Sequence, residues 1–200
     1  MSSRVYLELD KVKINGFGKN KWNLYMIFMM DHPEFPDQKI ITTIPEDGLL
    51  MQIQNKDRDR YSFKSKPITP VTSGKRILDI EMPDDCYVEL SCLVMHSRDK
   101  HRKVGEILKT IADTISLPDM PGELQILNLS VPWLVVANKA LDGAEILGEQ
   151  LIGIKDRKLD LIHIQGNFST IKADNQVIPV QAGTANNGKG ALLFFDWRVA

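Results

Sequence analysis

The 200-residue chain predicts a mainly β protein: an antiparallel β-sandwich with one helical insertion. Three observations carry that expectation. Apolar and polar residues alternate with period two in many short runs, the pattern of strands that rest one face on a core. Glycine and proline punctuate those runs along most of the chain. Only one stretch, Val104 to Ile115, sets its apolar residues at helical spacing. One helix cannot supply the repeated crossovers that a parallel sheet requires.

The elements follow in order. Val5, Leu7 and Leu9 alternate with Tyr6, Glu8 and Asp10, and Val12 and Ile14 prolong this first strand. Asn15 to Gly18 breaks it. Trp22 to Met30 is apolar on both faces, which predicts a central strand. Asp31 to Asp37 carries two prolines and reads as a loop. Ile40 to Ile44 is the next strand, Pro45 to Gly48 turns the chain, and Leu49, Met51 and Ile53 alternate again. Asn55 to Lys66 is basic and poorly periodic, and Pro67 to Gly74 is a loop. Ile77 to Met82 and Val88 to Val94 then alternate on either side of the turn Pro83-Asp84-Asp85. These two strands are expected to present the charged residues after Val94 at one end of a sheet.

In the helical stretch, Val104, Ile107, Leu108, Ile111 and Ile115 share a face, and Pro118 and Pro121-Gly122 end it. Strand candidates return at Leu124 to Leu129, Trp133 to Ala137, Leu151 to Ile154, Leu159 to Ile164, Val177 to Val180 and Ala191 to Phe195. The expected core includes Leu7, Leu24, Phe28, Ile80, Leu90, Val94, Ile111 and Leu161. The chain reads as a single elaborated domain over residues 1–200, in which 121–200 supply additional strands that complete or extend the sandwich.

Composition narrows the function classes. Hydrophobic content of 43% and charged content of 26% fit a soluble globular protein with a real core. The net charge of −1 gives no global attraction for nucleic acid, and none is expected as a partner. Cys86 and Cys92 sit on or beside one strand, where they cannot easily pair, which suits a reducing compartment. The N-terminus has no apolar signal core, and no run reaches membrane-spanning length. The expected location is cytoplasmic, with room for peripheral membrane attachment.

Three places resemble a C2 domain, an eight-stranded β-sandwich whose end loops commonly bind calcium and phospholipid. The opening run VYLELDKVKI is similar to the family's first strand. Asp31 and Asp37, with five residues between them and followed by a strand beginning near Lys39, are similar to its first calcium loop. Ile77 to Glu106, a strand, acidic turn, long strand and charged loop closing at Val104-Gly105-Glu106, resembles its third loop. The resemblance covers the first half of the chain, residues 1–120. It implies a C2-like sandwich and a surface-docking role. Calcium wants six to eight oxygen ligands. After Val94 the chain offers Asp99 alone among His96, Arg98, Lys100, His101 and Arg102, so tight calcium binding is not expected.

The candidate sites are weighed against plainer readings. Asp31 and Asp37 are weak calcium candidates; a proline-rich turn uses aspartate equally well to bond its own backbone. Arg98, Lys100, His101, Arg102 and Lys103 form a loop that suits an anionic surface, at about 1 kcal/mol per basic residue near anionic lipid. The plainer reading is a solvated connection. Phe194, Phe195 and Trp197 mark a final strand that either packs in the core or adds to a partner's sheet. Cys92, between Leu90 and Val94, belongs to a core face rather than to a metal set. No nucleophile elbow or glycine-rich phosphate loop is present. The expectation is therefore a non-catalytic binding or scaffolding module with no cofactor, docking on a protein partner or an anionic membrane. The alternative is a structural subunit of a larger intracellular or virion-like assembly.

Overall fold

The computed structural model describes residues 2–15, 21–31, 38–45, 49–54, 61–62, 75–83, 87–99, 101–107, 126–128, 132–137, 156–167, 177–183 and 190–199. Among the described residues there are twelve strands: β1 (Ser2–Asn15), β2 (Lys21–Asp31), β3 (Gln38–Ile44), β4 (Met51–Gln54), β5 (Tyr61–Ser62), β6 (Lys75–Pro83), β7 (Tyr87–His96), β8 (Ile126–Asn128), β9 (Pro132–Ala137), β10 (Arg157–Asn167), β11 (Val177–Gly183) and β12 (Gly190–Val199). They form two sheets, and every pairing among the described residues is antiparallel. Sheet A runs β11-β12-β1-β5, with β6 also on β1. Sheet B runs β10-β7-β2-β3-β9-β8, with β4 also on β2.

The alternation read in the sequence decides which side chains meet between the sheets. Val5, Leu7 and Leu9 of β1 face inward, and so do Val12 and Ile14. The odd-to-even change of phase falls at Asp10, where the pairing of β1 with β12 slips between Leu9 and Lys11. A bulge of this kind inserts one extra residue into one strand and turns the next side chain over. From sheet B come Leu24, Met26 and Phe28 of β2 and Leu90, Cys92 and Val94 of β7. Phe28 meets Phe195 of β12 edge-on, 6.4 Å between ring centres, which ties the two sheets through the core. Asp160 of β10 adds a polar stitch by accepting the Ala191 N–H at 2.9 Å. Gly183 closes β11 at φ 122, and a Cβ there would meet the Ala191 carbonyl oxygen at 2.1 Å; glycine alone suits that corner.

Several expectations need correction. The strands on either side of Asp84-Asp85 do not share a sheet: β6 pairs with β1 in sheet A, and β7 pairs with β2 and β10 in sheet B. Alternation gives the face of a strand and is silent on which of two sheets receives it. Leu161 is only half-buried and lies on the far side of sheet B, because a second bulge between Lys158 and Asp160 sends Leu159, Ile162 and Ile164 inward. Leu7, Leu24, Phe28, Leu90 and Val94 are buried as expected. Residues 104–107 are helical; the rest of the helical stretch, including Ile111, lies outside the described residues, as do the Ile80 side chain and the strand candidate Leu151 to Ile154.

Sheet B has a second apolar face. Tyr25, Ile27 and Met29 of β2, Ile41 of β3, and Leu93 and Met95 of β7 point away from the sandwich and are buried there with Leu50, Val104 and Ile107. The chain after β7 therefore crosses over the outside of sheet B and leaves a helical turn on it.

Candidate functional site

The described loop that follows β7 is built from its anchors outward. Ser97 extends the ladder of β7 on β2: its N–H bonds the Asn23 carbonyl at 2.9 Å, and the Asn23 side-chain amide bonds the Ser97 carbonyl at 3.3 Å. Just before it, His96 is buried against Trp22, ring centres 5.3 Å apart, and its Nδ1 accepts from the Asn23 N–H at 3.2 Å. Asp99 then folds the loop on itself. Its carboxylate accepts the His101 N–H at 2.9 Å and its carbonyl accepts the Arg102 N–H at 3.4 Å, the turn chemistry typical of aspartate. Lys103 bridges the backbone of Leu49, and Val104 and Ile107 sink into the second apolar cluster.

Asp156, the residue before β10, holds this loop. Its side chain is 2% exposed. Oδ2 accepts from the buried Tyr25 hydroxyl at 2.6 Å and from Arg102, and Oδ1 accepts from the Ser97 hydroxyl at 2.9 Å. One carboxylate thus joins β2, the start of the loop and its far end. Charge-assisted bonds of this kind are about twice as strong as neutral ones. Burial pushes the Tyr25 hydroxyl pKa well above its ordinary value, and the Asp156 hydrogen bond and charge add to the shift while Arg102 opposes it.

The expected basic loop is thereby divided. Arg98, His101 and Lys103 are exposed. Arg102 is not part of the outward set: its side chain is 10% exposed and its charge is spent on Asp156. Lys100 lies outside the described residues. The fold also brings cations that sequence spacing did not gather. Arg157 of β10 stands opposite His96 in register, Lys158 opposite Met95, and β2 begins at Lys21, three residues before the Leu24 that faces His96. Lys21, Arg98, Lys103, Arg157 and Lys158 therefore share one end of sheet B with the carboxylates of Asp99 and Glu106.

The other candidates lie elsewhere. Asp31 is exposed at the end of β2, and Asp37 lies outside the described residues. Among the described residues no group of three or more His, Cys, Asp or Glu side chains is placed to hold a metal ion. Phe195 and Trp197 are core residues and Phe194 is half-buried. Their strand, β12, lies between β11 and β1, so both of its edges are taken and it cannot add to a partner's sheet. Cys92 is fully buried, and burial, with Asp160 nearby, pushes its thiol pKa well up; at neutral pH it is a packing group rather than a nucleophile.

Tyr25, Ser97 and Asp156 were not singled out from sequence. Asp156 sits in the run Lys155-Asp156-Arg157-Lys158, which reads as a solvated approach to a strand. Tyr25 did carry a signal, because a tyrosine inside a run buried on both faces needs a hydrogen-bond partner for its hydroxyl. That rule does not say which residue supplies it, and here the partner is 131 positions away. No helix among the described residues is long and apolar enough to cross a membrane. No known family model matches the chain, and none of the curated proteins matches it in sequence.

Proposed function

We propose that the protein is a non-catalytic binding module, a C2-like sandwich that docks on an anionic surface through the basic end of sheet B without tight calcium binding. The observation that carries this reading is the division of labour within the loop. Asp156 consumes Arg102 and fixes the loop at both ends, while Arg98, His101 and Lys103 stay exposed beside Arg157 and Lys158. A surface that presents charges from a fixed backbone loses less conformational freedom on binding than one carried by a free loop.

Cations near an anionic membrane contribute about 1 kcal/mol each, so the attachment is weak and reversible. It is also salt-sensitive, because exposed charges are screened beyond about 8 Å at physiological ionic strength. Replacing Arg98, Lys103 and Lys158 together by serine tests the reading. Sedimentation with phosphatidylserine-containing vesicles should show binding by the unaltered protein that falls with salt and is largely lost in the triple variant. Equal binding by both proteins would move the docking surface away from this end of sheet B. The alternative reading, a subunit of a larger assembly, rests on the strand-rich second half, the apolar final strand and the absence of any catalytic motif in the sequence; of these, β12 lies between β11 and β1, so its edges do not supply a partner strand.

A further inference from the structure

A cleft of about 200 Å³ lies beside the pairing slip in β1, and Asp10, Pro179, Gln181, Phe194 and Asp196 line it. Neighbouring strands supply the last four: Pro179 of β11 pairs with Asp196 of β12, and Gln181 with Phe194. Leu193, Phe195 and Trp197 point into the core, so alternation sends Phe194 and Asp196 to the outer face of sheet A. The two carboxylates are unequally matched. Asp10 has Lys11 at 3.3 Å. The Asp196 side chain is 19% exposed, and among the described residues its nearest cation is Arg198 Nη2 at 3.9 Å. That lies past the about 2.7–2.9 Å of a charge-assisted hydrogen bond, and Nε of the same arginine is turned to Glu8 at 3.1 Å. A largely buried carboxylate is costly unless a cation and hydrogen bonds meet it.

We infer that this cleft is a binding site for one arginine side chain of a protein partner. It lies on sheet A, away from the basic end of sheet B, and its charge is of the opposite sign. At about 200 Å³ it falls below the roughly 300–1,000 Å³ of pockets that enclose a drug-sized ligand, and it suits a single side chain. A guanidinium has the parts that the lining asks for. Its planar fork of donors matches the carboxylate of Asp196, and its flat face stacks on an aromatic ring such as Phe194. Its aliphatic stem packs on apolar surface, which Pro179 offers, and the Gln181 side-chain carbonyl is one more acceptor. Lysine brings the charge without the fork or the flat face and ranks second. An anionic ligand meets repulsion from Asp10 and Asp196. Arginine is also among the residues that most often anchor protein interfaces.

The test follows the backbone amides of the isotope-labelled full chain by NMR during titration with N-acetyl-arginine N-methylamide. Saturable shifts should gather at Gln181, Phe194 and Asp196, and added salt should weaken the binding. The citrulline counterpart, alike in shape and uncharged, should give none. Asp196→Asn should weaken binding at least about tenfold, as expected when one partner of a charge pair is removed. Phe194→Leu should weaken it about threefold through loss of the ring face. The rest of each spectrum reports whether the variant is folded, and the citrulline comparison needs no variant. No saturable shift with the capped arginine, equal shifts with citrulline, shifts gathered elsewhere, or unchanged affinity in folded Asp196→Asn overturns the inference. Free arginine is the other source of the same group, and tighter binding of it than of the capped residue overturns a protein partner.

Discussion

The outer faces of the two sheets are built on opposite terms. On sheet A the outward positions of β1 are polar. Arg4 pairs with Asp79 of β6 at 2.7 Å, and Glu8 pairs with Arg198 of β12 at 3.1 Å. On sheet B the outward positions of β2 are Tyr25, Ile27 and Met29, all buried under a loop that returns across the sheet. Sheet A therefore carries a polar, ion-paired outer layer in which Glu8 and Asp79 are buried and Arg4 is exposed, and sheet B has an apolar core on each face. The difference bears on the docking end proposed for sheet B. A chain that crosses the outside of a sheet can present side chains at its end, and it needs anchors to do so. Val104 and Ile107 are the apolar anchors, and Asp156 with Arg102 is the polar one.

The sharpest way to break the comparison is to remove the polar anchor. Asp156→Ala leaves Arg102 buried without its carboxylate and strands the hydroxyls of Tyr25 and Ser97. Removing one partner of a buried ion pair costs about 3–5 kcal/mol. Urea unfolding should show a loss in that range, and vesicle binding should fall at temperatures where the variant is still folded. A loss below about 1 kcal/mol would mean that the loop is held by its apolar residues alone, since that is the value of an exposed pair.

Next in size is the apolar layer itself. Ile27 is fully buried on the outer face of sheet B, and Ile27→Ala should cost about 2–5 kcal/mol, as in any packed core. Lys13 lies on β1 of sheet A, partly exposed, and Lys13→Ala should stay within about 0.5 kcal/mol. Equal effects at the two sites in thermal or urea unfolding would erase the distinction between a polar and an apolar outer face.

Much of that distinction was legible in the chain. The sequence Val5 to Asp10 alternates cleanly and gives a strand with one apolar face; Trp22 to Met30 does not alternate and gives a strand with apolar residues buried on both faces. Even the bulge in β1 is visible as the change from odd to even apolar positions between Leu9 and Val12. The crossing from β6 in sheet A to β7 in sheet B was not, because sheet membership depends on pairings far apart in sequence. The basic loop was legible as a run of charge, but which charges point outward was not. Arg102 looks like its neighbours in the sequence and differs from them only because Asp156, 54 positions later, is folded against it. Arg157 and Lys158 join the same end through strand register, which no local spacing encodes.

The smallest effect concerns one hydroxyl. Tyr25 gives its proton to a hydrogen bond with buried Asp156, and burial first, then that bond, holds its pKa well above the ordinary value. An acid whose pKa is raised on folding keeps its proton longer in the folded state. In the unfolded chain a tyrosine ionises near pH 10. Above that pH the unfolded chain holds fewer protons than the folded one, so stability falls as pH rises; well below it the group is protonated in both states and contributes no slope. Tyr25→Phe should cost about 1.5–3 kcal/mol at neutral pH, the value of a hydrogen bond to a charged group. The same variant should flatten the alkaline decline, by up to about 1.4 kcal/mol per pH unit for one proton. Urea midpoints followed from about pH 8 to about pH 11 would measure both effects. An alkaline slope that survives the substitution unchanged would place the Tyr25 hydroxyl in water, and the outer face of sheet B would then be open at that point.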